Sequence, residues 1–165
     1  MMIIIYKSNT GYTEQYAKLL SEQLGLPCYK LGSVPECHKG RDAIFLGWLF
    51  AGSIVGYKAA SKKYHLRCVC GVGMGPPMPE LVPGFREKMN IPESVKVFYL
   101  QGGFDINKLK GPMKLIMKVK CKEIAGRLNV RAELTPEEQA TLRMTQTGAS
   151  CVSKENLAEV VAWYK

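Results

Sequence analysis

A doubly wound α/β domain is the fold class this sequence predicts, and two observations lead to it. Short apolar runs, several rich in β-branched residues, recur along the chain and leave through glycines or other turn residues, as buried parallel strands do. Segments with apolar residues at helical spacing stand between most of those runs. The chain has 165 residues, 47% of them hydrophobic, enough for one sizeable core, so a single domain over 1–165 is expected.

The first run, residues 3–6, is followed by residues 13–24, where Tyr16, Ala17, Leu19, Leu20 and Leu24 share a helical face. Gly25 is placed to end that helix, and residues 26–31 read as a weaker strand stopped by Gly32. Residues 43–48 form the third run, followed after Gly52 by a helix reaching Lys63. Residues 66–72 and 95–100 supply the fourth and fifth runs, with a helix over 81–89 between them. Further helices are predicted over 112–128 and, behind Ser153, over 154–164. Thr135, Pro136, Glu137 and Glu138 read as a capped helix start and Thr147 and Gly148 as its end, so residues 134–150 add an extra short helix. No repeat, low-complexity tract or long linker divides the chain.

Met1 to Ile5 is apolar, but Lys7 follows too soon for a signal-peptide core or a membrane span, which leads to the expectation of a cytoplasmic protein. The six cysteines are scattered through a chain of ordinary core size, so reduced thiols are expected. Cys68 and Cys70 share one strand face, and no second Cys or His pair stands beside Cys37 and His38 at metal-ligand spacing. The net charge of +9 favours acidic ligands, surfaces or partner proteins. Nucleic acid is not expected, because zinc-finger, basic-zipper and RNA-binding strand signatures are all missing.

The turn leaving the first strand reads Ser8, Asn9, Thr10, Gly11, Tyr12, Thr13, where a helix begins. Free backbone N–H groups, the positive end of the helix dipole and hydroxyl donors together can hold a phosphate without a cationic side chain. A plain helix cap uses the same residue types for its own backbone, and taken alone that reading is the stronger. The P-loop pattern G-x-x-x-x-G-K-[ST] and the dinucleotide pattern G-x-G-x-x-G are both absent from this turn.

The Ser8 to Thr13 turn resembles the phosphate loop of flavodoxins, [ST]-x-T-G-x-T, in its place between strand one and helix one. The resemblance implies a flavodoxin-like three-layer sandwich: a five-stranded parallel sheet of order 2-1-3-4-5, helices on both faces, and FMN at the switch point beside strands one and three. It also implies that the flavin ring lies between the loops after strands three and four. Those are Gly47, Trp48, Leu49, Phe50, Ala51 and Gly52, and then Gly71, Val72, Gly73, Met74 and Gly75. Trp48 or Phe50 would stack on the ring, and the glycines would let backbone approach its polar edge. Core packing at a strand end accounts equally well for Trp48.

The stretch with Gly102, Gly103, a basic insertion and Lys114, Leu115, Ile116, Met117, Lys118 resembles the flavodoxin-fold menaquinone-dependent protoporphyrinogen IX dehydrogenases. That resemblance implies an FMN-dependent oxidoreductase acting on a small anionic substrate such as a porphyrinogen and passing electrons to a quinone. A soluble flavodoxin-type electron carrier serving a redox partner protein is the alternative, and a basic binding domain without redox chemistry is the third reading. No catalytic acid or base is assigned, because the flavin would carry the chemistry. In the predicted helix over 112–128, Met113, Ile116, Met117, Cys121, Ile124 and Leu128 fall on one face, with Lys114, Lys118 and Lys122 beside it. Two placements fit: packing on the sheet with solvated lysines, or peripheral contact with an inner-membrane face through the basic region from Lys108 to Lys122. Apolar flavin loops in a basic chain imply a higher reduction potential than in acidic flavodoxins.

Overall fold

The computed structural model describes residues 1–165. The chain divides into two compact units, Met1–Gly102 with Val152–Lys165, and Gly103–Cys151.

The first unit is built on a mostly parallel sheet. Its strands are β1 (Ile3–Lys7), β2 (Cys28–Lys30), β3 (Asp42–Phe50), β4 (Ser53–Ile54), β5 (His65–Gly73) and β6 (Lys96–Gln101). The order is β2-β1-β3-β5-β6, with β4 paired antiparallel to the end of β3. The sheet therefore has six strands instead of the expected five, because β3 runs on to Phe50 and turns straight back. The turn residues Ala51 and Gly52 have φ values of 48° and 71°, the left-handed pair that a two-residue hairpin matching strand twist requires. The helix expected to follow Gly52 is thereby shortened to α2 (Tyr57–Ser61).

Strand alternation distributes the core to both faces. Ile3, Ile5, Phe45 and Val69 point to the side covered by α2 and α3 (Leu81–Met89), where Tyr57, Ala60, Phe85 and Met89 complete a buried cluster. Ile4, Ile44, Leu46, Cys68 and Cys70 point to the other side. There they meet Tyr16, Ala17 and Leu20 of α1 (Tyr12–Leu24) and Val160 of α6 (Ala158–Tyr164). Helices on two faces of a mostly parallel sheet give the three layers. The final helix is shorter than 154–164, since residues 155–157 form a 3-10 turn ahead of α6. Helix α1 ends as its sequence dictates, at Gly25 with φ 64° and its N–H on the carbonyl of Ser21.

The second unit is closed by β7 (Gly103–Phe104) and β8 (Ala149–Ser150), paired antiparallel. Between them stand α4 (Gly111–Asn129) and α5 (Pro136–Thr147), which pack on each other. The start of α5 is a complete capping box: Thr135 Oγ1 accepts the Glu138 N–H, and the Glu138 carboxylate accepts the Thr135 N–H. The Arg131 guanidinium also pairs with Glu138. No helix of the chain is long and apolar enough to cross a membrane.

Candidate functional site

Three chain segments leave the parallel strands at one edge of the first unit. The register aligns Lys7 with Gly47, Gly47 with Gly71, and Gly71 with Tyr99. Ser8, Trp48, Val72 and Leu100 are the next residues in each strand direction, so the turn after β1 opens beside the ends of β3 and β5. β1 lies between β2 and β3, and the connection from β1 leads to β2 whereas the next one crosses to β3. Reversal of winding direction leaves a crevice at that point of an open α/β sheet.

The turn itself is organised by one side chain. Ser8 Oγ accepts the N–H of Gly11 at 3.1 Å, which leaves the Ser8 hydroxyl proton to donate elsewhere. Gly11 has φ 96° at the start of α1, and a Cβ added there would meet nothing within 4 Å. Open space thus lies next to the helix N-terminus, whose first N–H groups have no intrahelical acceptor. Asn9 is exposed, Ser8 and Thr10 are half-buried, and Tyr12 and Thr13 are buried in the first turn of α1. Glu14 in that first turn pairs with Lys18 at 2.6 Å. The Lys18 hydrogen bond holds the Glu14 carboxyl below its usual range, and burial is the main reason the Tyr6 phenol is pushed up.

The residues expected to form the loop after the third strand are mostly strand. Gly47, Trp48, Leu49 and Phe50 belong to β3, and Ala51 and Gly52 form the hairpin turn. Trp48 and Phe50 continue the face of Ile44 and Leu46, the α1 side, with ring centroids 5.8 Å apart. Phe50 is 41% exposed, which leaves an aromatic surface at the strand end. Leu49 turns to the opposite face and packs with the α2 and α3 cluster.

Three of the expected loop glycines stand against packed neighbours. A Cβ at Gly47 would lie 2.6 Å from both Ile54 Cγ2 and the Val55 carbonyl oxygen. At Gly71 it would meet Leu49 at 3.1 Å, and at Gly73 the Tyr99 hydroxyl at 2.8 Å. These three glycines admit the β3–β4 hairpin and Tyr99 against the sheet. Gly71, Val72 and Gly73 are the last residues of β5, and of the five residues expected there only Met74 and Gly75 lie in the loop, which runs on to α3 at Leu81. An added Cβ at Gly75 would meet nothing within 4 Å.

Sequence reasoning missed the side chains that fasten this edge. The Tyr99 phenol donates to the Gly75 carbonyl oxygen at 2.5 Å and so ties down the β5–α3 loop. The Tyr16 hydroxyl donates to the Gln101 carbonyl oxygen and accepts from Asn156 Nδ2 at 2.7 Å. That pair joins α1, the end of β6 and the C-terminal segment, a linkage of residues 140 positions apart that no local pattern reveals. Gly102 makes the same junction close, since a Cβ there would lie 2.7 Å from Val72 Cγ1.

The donor set fits the phosphate end of FMN: hydroxyls, helix-start N–H groups and open space at Gly11. The aromatic pair of half-buried Trp48 and exposed Phe50 is of the kind that takes a flat ring. Comparison with protein-family models, curated proteins and solved structures finds no significant match to this chain.

Proposed function

We propose that this chain is an FMN-binding, flavodoxin-like redox protein. The observation that carries the reading is the placement of the Ser8 to Thr13 turn at the reversal between β1 and β3, beside the end of the strand that bears Trp48 and Phe50. The parallel strands, taken by themselves, follow the order of the flavodoxin sheet, with β4 added at the end of β3. FMN when bound supplies the electron-transfer chemistry. The chain's part is to hold and orient: Ser8 and Thr10 hydroxyls and the N–H groups at the start of α1 on the phosphate, Trp48 or Phe50 against the ring, and the Met74–Gly75 backbone at its edge. Tyr99, by fixing the Gly75 carbonyl, keeps that last segment in place.

Oxidation of a porphyrinogen-like substrate with transfer to a quinone is the activity suggested by the resemblance at Lys114 to Lys118. Electron carriage between partner proteins is the alternative at the same site. Both require the flavin first. A fluorescence titration comparing FMN with riboflavin, which lacks the phosphate, tests the assignment of the turn. FMN is expected to bind at least about tenfold more tightly, and Thr10→Glu to remove most of that difference by placing a carboxylate at the phosphate position. Equal affinity for the two, unchanged by Thr10→Glu, would remove the phosphate role of the turn.

A further inference from the structure

Two basic segments meet at the amino edge of the sheet, the edge opposite the Ser8 to Thr13 turn. Residues 39–41 lead into β3 and residues 62–64 into β5, and these neighbouring parallel strands start side by side, Asp42 against His65. The Gly40 N–H donates to the Lys63 carbonyl oxygen at 2.9 Å and the His65 N–H to the Arg41 carbonyl oxygen at 3.0 Å, which pins the two segments together. Lys39, Arg41, Lys62 and Lys63 are all exposed. Their acidic neighbours leave most of this charge uncompensated. Asp42 is taken by Arg67 at 3.2 Å, and Glu36, its side chain 91% exposed, reaches Lys39 only at 3.9 Å. Beside the segments lies a cleft of about 120 Å³, lined by Lys39, Lys63 and the buried Tyr64. Leu31, Val34 and Pro35 form its apolar part. Exposed lysines alone are ordinary surface. Two ammonium groups at an apolar-walled cleft instead suit a side chain with an aliphatic stem and an anionic tip.

We propose that this cleft docks an acidic segment of a partner protein, independently of the flavin reading. One glutamate side chain lays its methylenes on Leu31, Val34 and Pro35 and brings its carboxylate to Lys39 and Lys63. Arg41 and Lys62, next to that pair in the two segments, receive neighbouring acids of the same partner. Charges of this kind speed the encounter and make it salt-dependent, while the apolar wall supplies contact that salt does not screen. Nucleic acid is a poorer occupant, because its phosphates carry no aliphatic stem for the wall and would also meet Glu36 in the lining. A second copy of the chain would bring the same cations against themselves.

The test uses the full chain labelled with an environment-sensitive fluorophore at Cys37, an exposed thiol adjacent in sequence to Glu36 of the cleft lining. At low ionic strength a hexaglutamate peptide is expected to change the emission in a saturable way that high salt reverses, and hexaglutamine to leave it unchanged. Hexaaspartate, whose carboxylates stand on stems one methylene shorter, is expected to bind about threefold more weakly because it covers less of the apolar wall. Lys39→Gln with Lys63→Gln is expected to raise the apparent Kd for hexaglutamate about tenfold, in line with the loss of two exposed ion pairs. Lys118→Gln with Lys122→Gln removes the same charge from α4 in the second unit and is expected to change that Kd by less than about twofold. Three results would each overturn the proposal: no emission change with hexaglutamate, equal effects of the two lysine pairs, or equal binding of hexaaspartate and hexaglutamate. Duplex DNA that gives the same emission change with the same dependence on Lys39 and Lys63 would overturn the assignment to an acidic protein and leave a plain polyanion site.

Discussion

Ser8 and Gly11 are joined by a single hydrogen bond, Oγ accepting the Gly11 N–H at 3.1 Å, and this contact shapes the turn from β1 into α1. Removing it by Ser8→Ala is expected to cost about 0.5–1.5 kcal/mol of stability, the net range for one intramolecular hydrogen bond, because the contact shapes the turn ahead of α1 and does not cap the helix itself. Chemical denaturation measures that cost. The same variant is expected to bind FMN more weakly, and a matching Asn156→Ala, which acts through Tyr16 at the other end of the junction, to lower stability with a smaller change in FMN affinity.

Gly11→Ala is expected to destabilise by about 1–2 kcal/mol, because φ 96° is a left-handed conformation that disfavours a Cβ whatever the space around it. The open space at this position means that no steric clash adds to the backbone cost. Thermal unfolding of the variant should show a lowered midpoint and an otherwise native helix signal.

Two other glycines separate packing from propensity. Gly47→Ala would put a Cβ 2.6 Å from Ile54 Cγ2 and Val55 O, an overpacking expected to cost about 1–3 kcal/mol. Gly84 lies in α3 with nothing within 4 Å of an added Cβ, so Gly84→Ala is expected to stabilise by about 0.5–1 kcal/mol. Denaturant midpoints for the two variants should move in opposite directions.

Those glycines also mark how far the fold was legible. Buried runs such as Ile3 to Tyr6 and the Tyr16, Ala17, Leu20 stripe announced strand and helix because their periodicity and their burial agree. The β3–β4 hairpin did not announce itself. Its turn is Ala51-Gly52, without the Asn or Asp that usually signals a left-handed pair, and the run from Ala43 into Phe50 has no polar stop. At the site, the Ser8 to Thr13 turn was readable as local chemistry, whereas the roles of Gly47, Gly71 and Gly73 depend on Leu49, Ile54 and Tyr99 arriving from elsewhere. In α4 spacing grouped Met113, Met117, Cys121, Ile124 and Leu128, all at least half-buried, but it also placed Ile116 with them, and Ile116 is 45% exposed, because burial depends on a packing neighbour that spacing cannot express.

Burial pushes the Cys28 thiol up from 9.0 to about 11. Below pH 9.0 folded and unfolded chains both keep this proton. Above it the unfolded chain ionises first, so the stability contributed by the buried neutral thiol is lost as pH rises from 9.0 through about 11. The thermal midpoint is expected to fall over that window, and to fall less in Cys28→Ala.

Thiol labelling near neutral pH should follow exposure. Cys37 is exposed and is expected to react first, while Cys68 and Cys70, fully buried with their sulfurs 3.9 Å apart, are expected to react only on unfolding. Hydrogen bonding to Cys70 together with burial raises the Cys68 thiol further, which also slows attack. Mass spectrometry of the labelled chain gives the order.

The central claim is that the carboxyl edge of the sheet holds FMN, and the absorbance spectrum of the purified chain before and after addition of FMN tests it most directly. Flavin bands that stay with the protein through gel filtration, with their shape altered from free FMN by the Trp48 and Phe50 surroundings, are the predicted result. A colourless protein that releases all added FMN on the column, with an unperturbed flavin spectrum during the addition, would contradict it.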